Sequence, residues 1–232
     1  MADTGLKRSP LLKQGALVQL ERDVVGISPN IIPFQYNPEK LTRTVTPYNP
    51  NGGGDSERGT QAPTVQPNEP GESYQLSLEL DATDQLEDGH PVATLFGVAD
   101  RIAALQRLLS PSEGLLGDVA ARLTSVTGTL DREASRPTVP VTLFVWGPGR
   151  MLPVRITSFQ VEETKFSPTL YPVQATVSLG LEVLTPDLFS CRDDATSKVA
   201  IAAYNTTRAH EANLAVSNIA TSVESIRGLL PF

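Results

Sequence analysis

Few residues in this chain are of a type and spacing that could carry chemistry. The two histidines, His90 in EDGHP and His210 in RAHEA, stand far apart. Neither has a second imidazole or a cysteine at metal-ligand spacing. They read as a turn residue and a solvated helix residue. Cys191 has Arg192 beside it, a neighbour that favours a thiolate, but no histidine close in sequence. It reads as an inert thiol. The acidic pairs Glu162-Glu163 and Asp193-Asp194 are sequence neighbours. Adjacent side chains on a strand point to opposite faces, so Glu162 and Glu163 do not form a general acid–base dyad. Gly52-Gly53-Gly54 precedes Asp55 and Ser56 without a lysine, which suits a hinge, not a phosphate cradle. Gly147-Pro148-Gly149 is explained by the hairpin it closes. No catalytic residue, cofactor or metal is expected, and the chain does not read as an enzyme.

The elements around these residues are mainly strands. Val139, Val141, Leu143 and Val145 alternate with Pro140, Thr142, Phe144 and Trp146, and Val173 to Leu181 alternates with Gln174 to Glu182. A period of two is the signature of a pleated strand. Thr138–Leu184 therefore reads as an antiparallel meander. Shorter alternating runs occur at Ala16–Glu21, Leu41–Thr46 and Tyr74–Leu80, and Asn30–Tyr36 is apolar and β-prone. Pro33 marks that last run as an edge or a bulge, because proline cannot donate to the ladder. Asn37-Pro38 signals a turn.

Two stretches follow helical spacing. Val92, Leu95, Phe96, Ala99, Ile102, Leu105 and Leu108 predict one amphipathic helix over Pro91–Ser110, lying on a face of the sheet. Ala209, Ala212, Val216, Ile219, Val223, Ile226 and Leu230 recur in steps of three and four, a narrow seam suited to helix-to-helix packing. That tail is rich in Ala, Asn, Ser and Thr, too weakly apolar to hold itself firmly to its own domain. A partner helix or neighbouring subunit is one reading, and packing on the sheet is the other. Gly114–Ser135 reads as a loop with a short helix. Pro47–Gly71 holds five prolines and five glycines and almost nothing apolar. It reads as a flexible loop or an arm ordered against a neighbouring subunit.

With 232 residues, 40% hydrophobic and 19% charged, the chain reads as a soluble globular protein. A net charge of −7 argues against a nucleic-acid partner, which needs a basic face. A single cysteine suits a reducing compartment. Neither a signal peptide nor a membrane-spanning run is expected, so the chain reads as cytoplasmic when made.

Three pieces in order carry a resemblance: LLKQGALVQLE followed by IPFQYNPEKLTRT (Ile32–Thr44), PVTLFVWG (Pro140–Gly147), and VRITSFQVEETKFSPTLYPVQATVSLGLEV (Val154–Val183). Together they resemble the tube-domain family of contractile injection systems, particles akin to phage tails. The resemblance implies a mainly β (α+β) fold, a tube-protein-like antiparallel β-barrel or sandwich with one packed amphipathic helix, a long loop and a C-terminal helical tail. It divides the chain into an arm at 1–14, a tube-like domain at 15–186 with the loop 47–71, and a helical extension at 187–232. It implies a hexameric ring at the tube–baseplate junction, adapting spike hub to inner tube. The partners would be copies of itself, the inner-tube protein, the spike or hub protein and other baseplate subunits, without membrane insertion, in a particle released on lysis.

Family members often carry a LysM module. The stretch after Leu184 lacks its strand–helix–helix–strand character, and Ser167–Pro172 replaces the Asp-Gly turn of relatives. The alternatives are an inner-tube subunit and a cell-wall-binding baseplate module. The residues expected at assembly interfaces are Phe34, Tyr36, Asn37, Trp146, Phe166 and Tyr171; Phe34, Tyr36 and Asn37 should fix the N-terminal strand and its turn, and Trp146 and Phe166 should pack between sheet and helix or at a subunit seam.

Overall fold

The computed structural model describes residues 13–23, 26–47, 69–110, 139–189 and 194–226. Its strands are β1 (Ala16–Asp23), β2 (Gly26–Pro33), β3 (Leu41–Thr46), β4 (Gly71–Asp81), β5 (Val141–Val145), β6 (Met151–Phe166) and β7 (Pro172–Val183). The helices are α1 (Thr83–Glu87), α2 (Pro91–Phe96), α3 (Ala99–Arg107) and α4 (Ala195–Ile226), with a 3-10 turn at Pro186–Phe189. One sheet takes the order β2-β1-β5-β6-β7-β4-β3, and every pairing is antiparallel. The fold is thus mainly β, and the expected meander is β5-β6-β7. Pro33 closes β2, which is an edge strand.

The sheet is rolled, and two observations require it. Tyr74 on β4 and Phe144 on β5 hold their ring centroids 5.5 Å apart, yet β6 and β7 lie between those strands. In a flat sheet three strand spacings would separate them by about 14 Å. The segment 34–40 must also carry the chain from β2 at one edge to β3 at the other. Its seven residues, with bends at Gln35, Tyr36 and Glu39, fall short of the roughly 29 Å between the edges of a flat seven-stranded sheet. Rolling brings the inward residues Leu17, Phe144, Leu152, Val154, Leu181, Tyr74, Leu76 and Leu78 into one core, which Val98, Ile102, Leu105 and Leu108 complete.

The single helix expected over Pro91–Ser110 is two, α2 and α3. Gly97 breaks it at φ 58°, a left-handed conformation that a Cβ disfavours. A Cβ there would also run into the Pro172 carbonyl, which accepts the Val98 N–H at 2.9 Å. Ile102, Leu105 and Leu108 are buried as the spacing implies, whereas Val92, Leu95 and Phe96 on α2 stay exposed.

The C-terminal helix departs further from expectation. Its first half packs on the chain's own sheet. Ala200 and Ala203 are buried beside Val141, Leu143 and Leu20, and Tyr204 enters the main core. Small residues allow this close approach, so weak apolarity does not prevent docking. Asp194 caps the helix by accepting the Ser197 N–H at 3.1 Å. Thr207 anchors it to β6, its hydroxyl lying 2.9 Å from the Met151 N–H and 2.8 Å from the Met151 carbonyl. With α4 on one face and the core on the other, Val141–Phe144 of β5 is buried on both.

The glycine- and proline-rich stretch 48–68, the stretch 114–135 and Cys191 lie outside the described residues.

Candidate functional site

The residues 34–37 (FQYN) form an internal clasp at one end of the roll. Phe34 is buried, and its ring lies 6.4 Å from that of Trp146, which stacks on Phe144 at 6.0 Å. Gly15 sits against both Phe34 and Trp146, at a point where a Cβ would overlap them. Asn37 accepts the Gly15 N–H at 2.8 Å and donates to the Lys13 carbonyl at 2.9 Å, fixing the approach to β1. Gln35 donates to the Asp81 carbonyl at 2.7 Å and accepts the Asp81 N–H at 3.0 Å, fixing the end of β4. Arg101 also donates to Gln35. Of the residues expected at interfaces, Phe34, Asn37 and Trp146 are gathered inside the chain. Tyr36 projects outward, 46% exposed.

Phe166 and Tyr171 lie on the tip of the β6–β7 hairpin, close to Asp81, which pairs with Gln174 of β7. Phe166 is 54% exposed and Leu170 between them is 80% exposed. Tyr171 meets Phe96 of α2 edge-on at 5.4 Å. Leu95 and Val92 extend this apolar surface along α2, a concentration of solvent-facing apolar groups of the kind that marks contact sites.

The surface with most to offer a partner is the sheet itself. β6 has 16 residues, but β5 pairs with it only from Met151 to Val154. From Arg155 to Phe166 the β5-facing side of β6 has no strand partner among the described residues. Among the described residues β3 pairs only with β4. Within those residues the four strands β6-β7-β4-β3 form a panel with an unpaired ladder on either side. One face carries the core residues Leu76, Leu78, Val177 and Leu179. The other presents Thr42, Gln75, Ser77, Ser158, Gln160 and Ser178 around a concavity of about 520 Å³ that Lys40, Leu76, Phe159 and Leu179 also line. Gly180 lets the panel bend, since it lies opposite the register shift at Ile156/Ser158 and a Cβ there would meet the Ser158 hydroxyl.

A buried ion cluster fastens α4 to this panel, and it was not foreseen from sequence. Glu72 on β4 is buried, yet its carboxylate meets Arg43 of β3 at 2.5 Å and Arg208 of α4 at 2.6 Å, and accepts the Tyr74 hydroxyl. Glu211 bridges both guanidiniums, at 3.0 Å from Arg43 and 2.7 Å from Arg208. Burial works to raise the Glu72 pKa, but the hydrogen bonds from Tyr74, Arg43 and Arg208 outweigh it and hold the carboxyl below its ordinary 4.5. Burial and the same carboxylate push the Tyr74 phenol upward. A signal was present: Glu72 stands at the inward positions of β4, in step with Tyr74, Leu76, Leu78 and Leu80. A charge on the apolar side of a strand calls for a partner.

Asp193 of the second acidic pair lies outside the described residues. Glu162 and Glu163 are both exposed on β6, and Asp194 is the α4 cap. No family model matches the chain, and no curated protein matches it. Among the described residues, no group of His, Cys, Asp and Glu could hold a metal ion, and no helix is long and apolar enough to cross a membrane.

Proposed function

We propose that this chain is a structural component of a contractile injection particle, a ring-forming adaptor at the junction of inner tube and baseplate. The observation that carries the reading is the panel β6-β7-β4-β3, which is apolar behind, polar in front and, among the described residues, unpaired along both sides. Unpaired ladders invite pairing with another chain. The two bare strands differ, β3 on one side and the outer half of β6 on the other. A contact between them is heterologous, and repeated by rotation it closes a ring.

In such a ring the polar faces of successive panels line the lumen. Thr, Ser and Gln side chains there let an inner component pass without holding it. The hairpin tip with Phe166, Leu170 and Tyr171 then stands at one rim of the ring, where an apolar surface suits contact with the next layer. The motif order FQYNPE, FVWG and the β6–β7 hairpin supports the assignment to the tube-domain family.

Electron microscopy of purified particles tests the reading. The expected result is six copies in a single layer at the base of the inner tube. Particles that assemble with normal tubes when this chain is deleted would overturn it, as would many stacked layers of the chain along the tube.

A further inference from the structure

The solvent-facing apolar groups of α2 and of the hairpin tip form one surface. Leu95 is 60% exposed, and Val92, Phe96, Leu170 and Tyr171 are exposed with it. The ring contact between Phe96 and Tyr171 joins the two elements. Acidic residues border this surface. Glu87 and Asp88 precede α2 and Asp100 follows it, all three exposed. Asp84 and Asp81 stand just before them in the chain. The basic residues of the region are His90, Lys165 and Arg101. Lys165 acts electrostatically on Asp81, and Arg101 donates to Gln35 and to the Asp81 carbonyl. Carboxylates therefore outnumber permanent cations here.

An apolar surface bordered by negative charge suits a segment that combines leucine with lysine or arginine. The chain itself supplies one. Residues 1–13 hold Leu6, Leu11 and Leu12 with Lys7, Arg8 and Lys13 against the single acid Asp3, in a chain of net charge −7. The described chain also starts beside this surface. Asn37 donates to the Lys13 carbonyl, Gln35 holds both backbone groups of Asp81, and Asp81 leads into α1 and then α2. Six extended residues span about 20 Å, so Lys7–Leu12 is long enough to lie along α2. Residues 227–232, with Arg227, Leu229, Leu230 and Phe232, are similar in character. However, α4 passes Val141, then Leu143, then Met151 at the start of β6, so it carries them away from the hairpin tip.

We infer that residues 6–12 dock on this surface of the same copy, their leucines against Leu95 and Leu170 and their basic groups toward Glu87 and Asp88. Attachment through Lys13 keeps the segment at high local concentration, so a modest contact suffices. The inference holds for a single copy and does not rest on the ring. In a ring, the segment would have to leave before the tip met a neighbouring layer.

The test uses the full chain and trypsin under native conditions, with mass spectrometry reading the cut after Arg8. Leu95→Ser with Leu170→Ser should speed that cut about tenfold, and so should Glu87→Lys with Asp88→Lys. All four side chains are exposed, so the thermal melt should stay at the parent's value. High salt should speed the cut in the parent and leave the charge-reversed variant nearly unchanged. In a Cys191→Ser background, Leu11→Cys with Leu95→Cys should give a disulfide within one chain. Leu11→Cys with Ile31→Cys, which pairs the segment with an exposed residue of β2 beside its origin, should give little. Equal cleavage in parent and variants, equal cross-linking to 95 and 31, or disulfides only between chains would overturn the inference.

Discussion

At the residue scale the structure turns on a few positions whose chemistry is set by their neighbours. Gly97 is one. It takes a left-handed φ of 58° against the Pro172 carbonyl, so Gly97→Ala meets both a backbone penalty and a collision. The expected loss is about 2 kcal/mol or more, read from urea unfolding. Glu72 is another. Its carboxyl titrates below 4.5 in the folded chain, so its contribution to stability is complete above pH 4.5 and disappears as pH falls through the lower folded value. Glu72→Gln should cost on the order of 2–3 kcal/mol near neutral pH, as charge-assisted hydrogen bonds are lost. It should also flatten the acid limb of the stability curve. An acid limb identical to that of the parent would contradict the cluster. The phenol of Tyr74 gives the opposite sign, since a raised pKa loses its contribution as pH climbs past 10. Sequence reasoning saw Phe34 and Asn37 as fixing the first strand and its turn, because the run FQYNP combines β-prone and turn residues. It missed Glu72, whose partners Arg43 and Arg208 lie 29 and 136 positions away.

At the scale of elements, the period-two runs made β1, β3, β4, β5 and β7 legible, along with the meander they build. Less legible were the extents. β6 runs to Phe166 because hairpin pairing with β7 carries it past the end of β5, and pairing length is not written in alternation. The rolled shape was legible only through the family resemblance. Its physical cause, the short connection 34–40 between opposite edges, needs the strand order. The helix over 91–110 was read as continuous because its apolar spacing passes through Gly97 without a break, while the backbone there does not. For α4, the seam at Ala209–Ile219 was visible but the packed stripe before it was not, since Ser197, Ala200 and Thr207 do not look like a core. Thr207 anchors this stripe by its bonds to Met151. Thr207→Val keeps the shape and removes those bonds, so it should cost about 1 kcal/mol and raise proteolytic cleavage within α4. Unchanged protection of α4 in amide exchange would count against that anchoring.

At the scale of the whole molecule, the account concerns edges. Among the described residues the panel β6-β7-β4-β3 has no strand partner on either side, and the proposed ring would supply each such ladder with the other. Val45→Pro removes a backbone donor on the side of β3 away from β4 and should leave the roll folded while lowering the number of associated copies. The most direct test is the mass of the purified full chain by native mass spectrometry. A closed ring predicts a dominant species at six times the 24.9 kDa chain, reduced to smaller species by Val45→Pro. A chain that stays monomeric at high concentration, or a six-fold species that Val45→Pro does not disturb, would contradict the proposed ring.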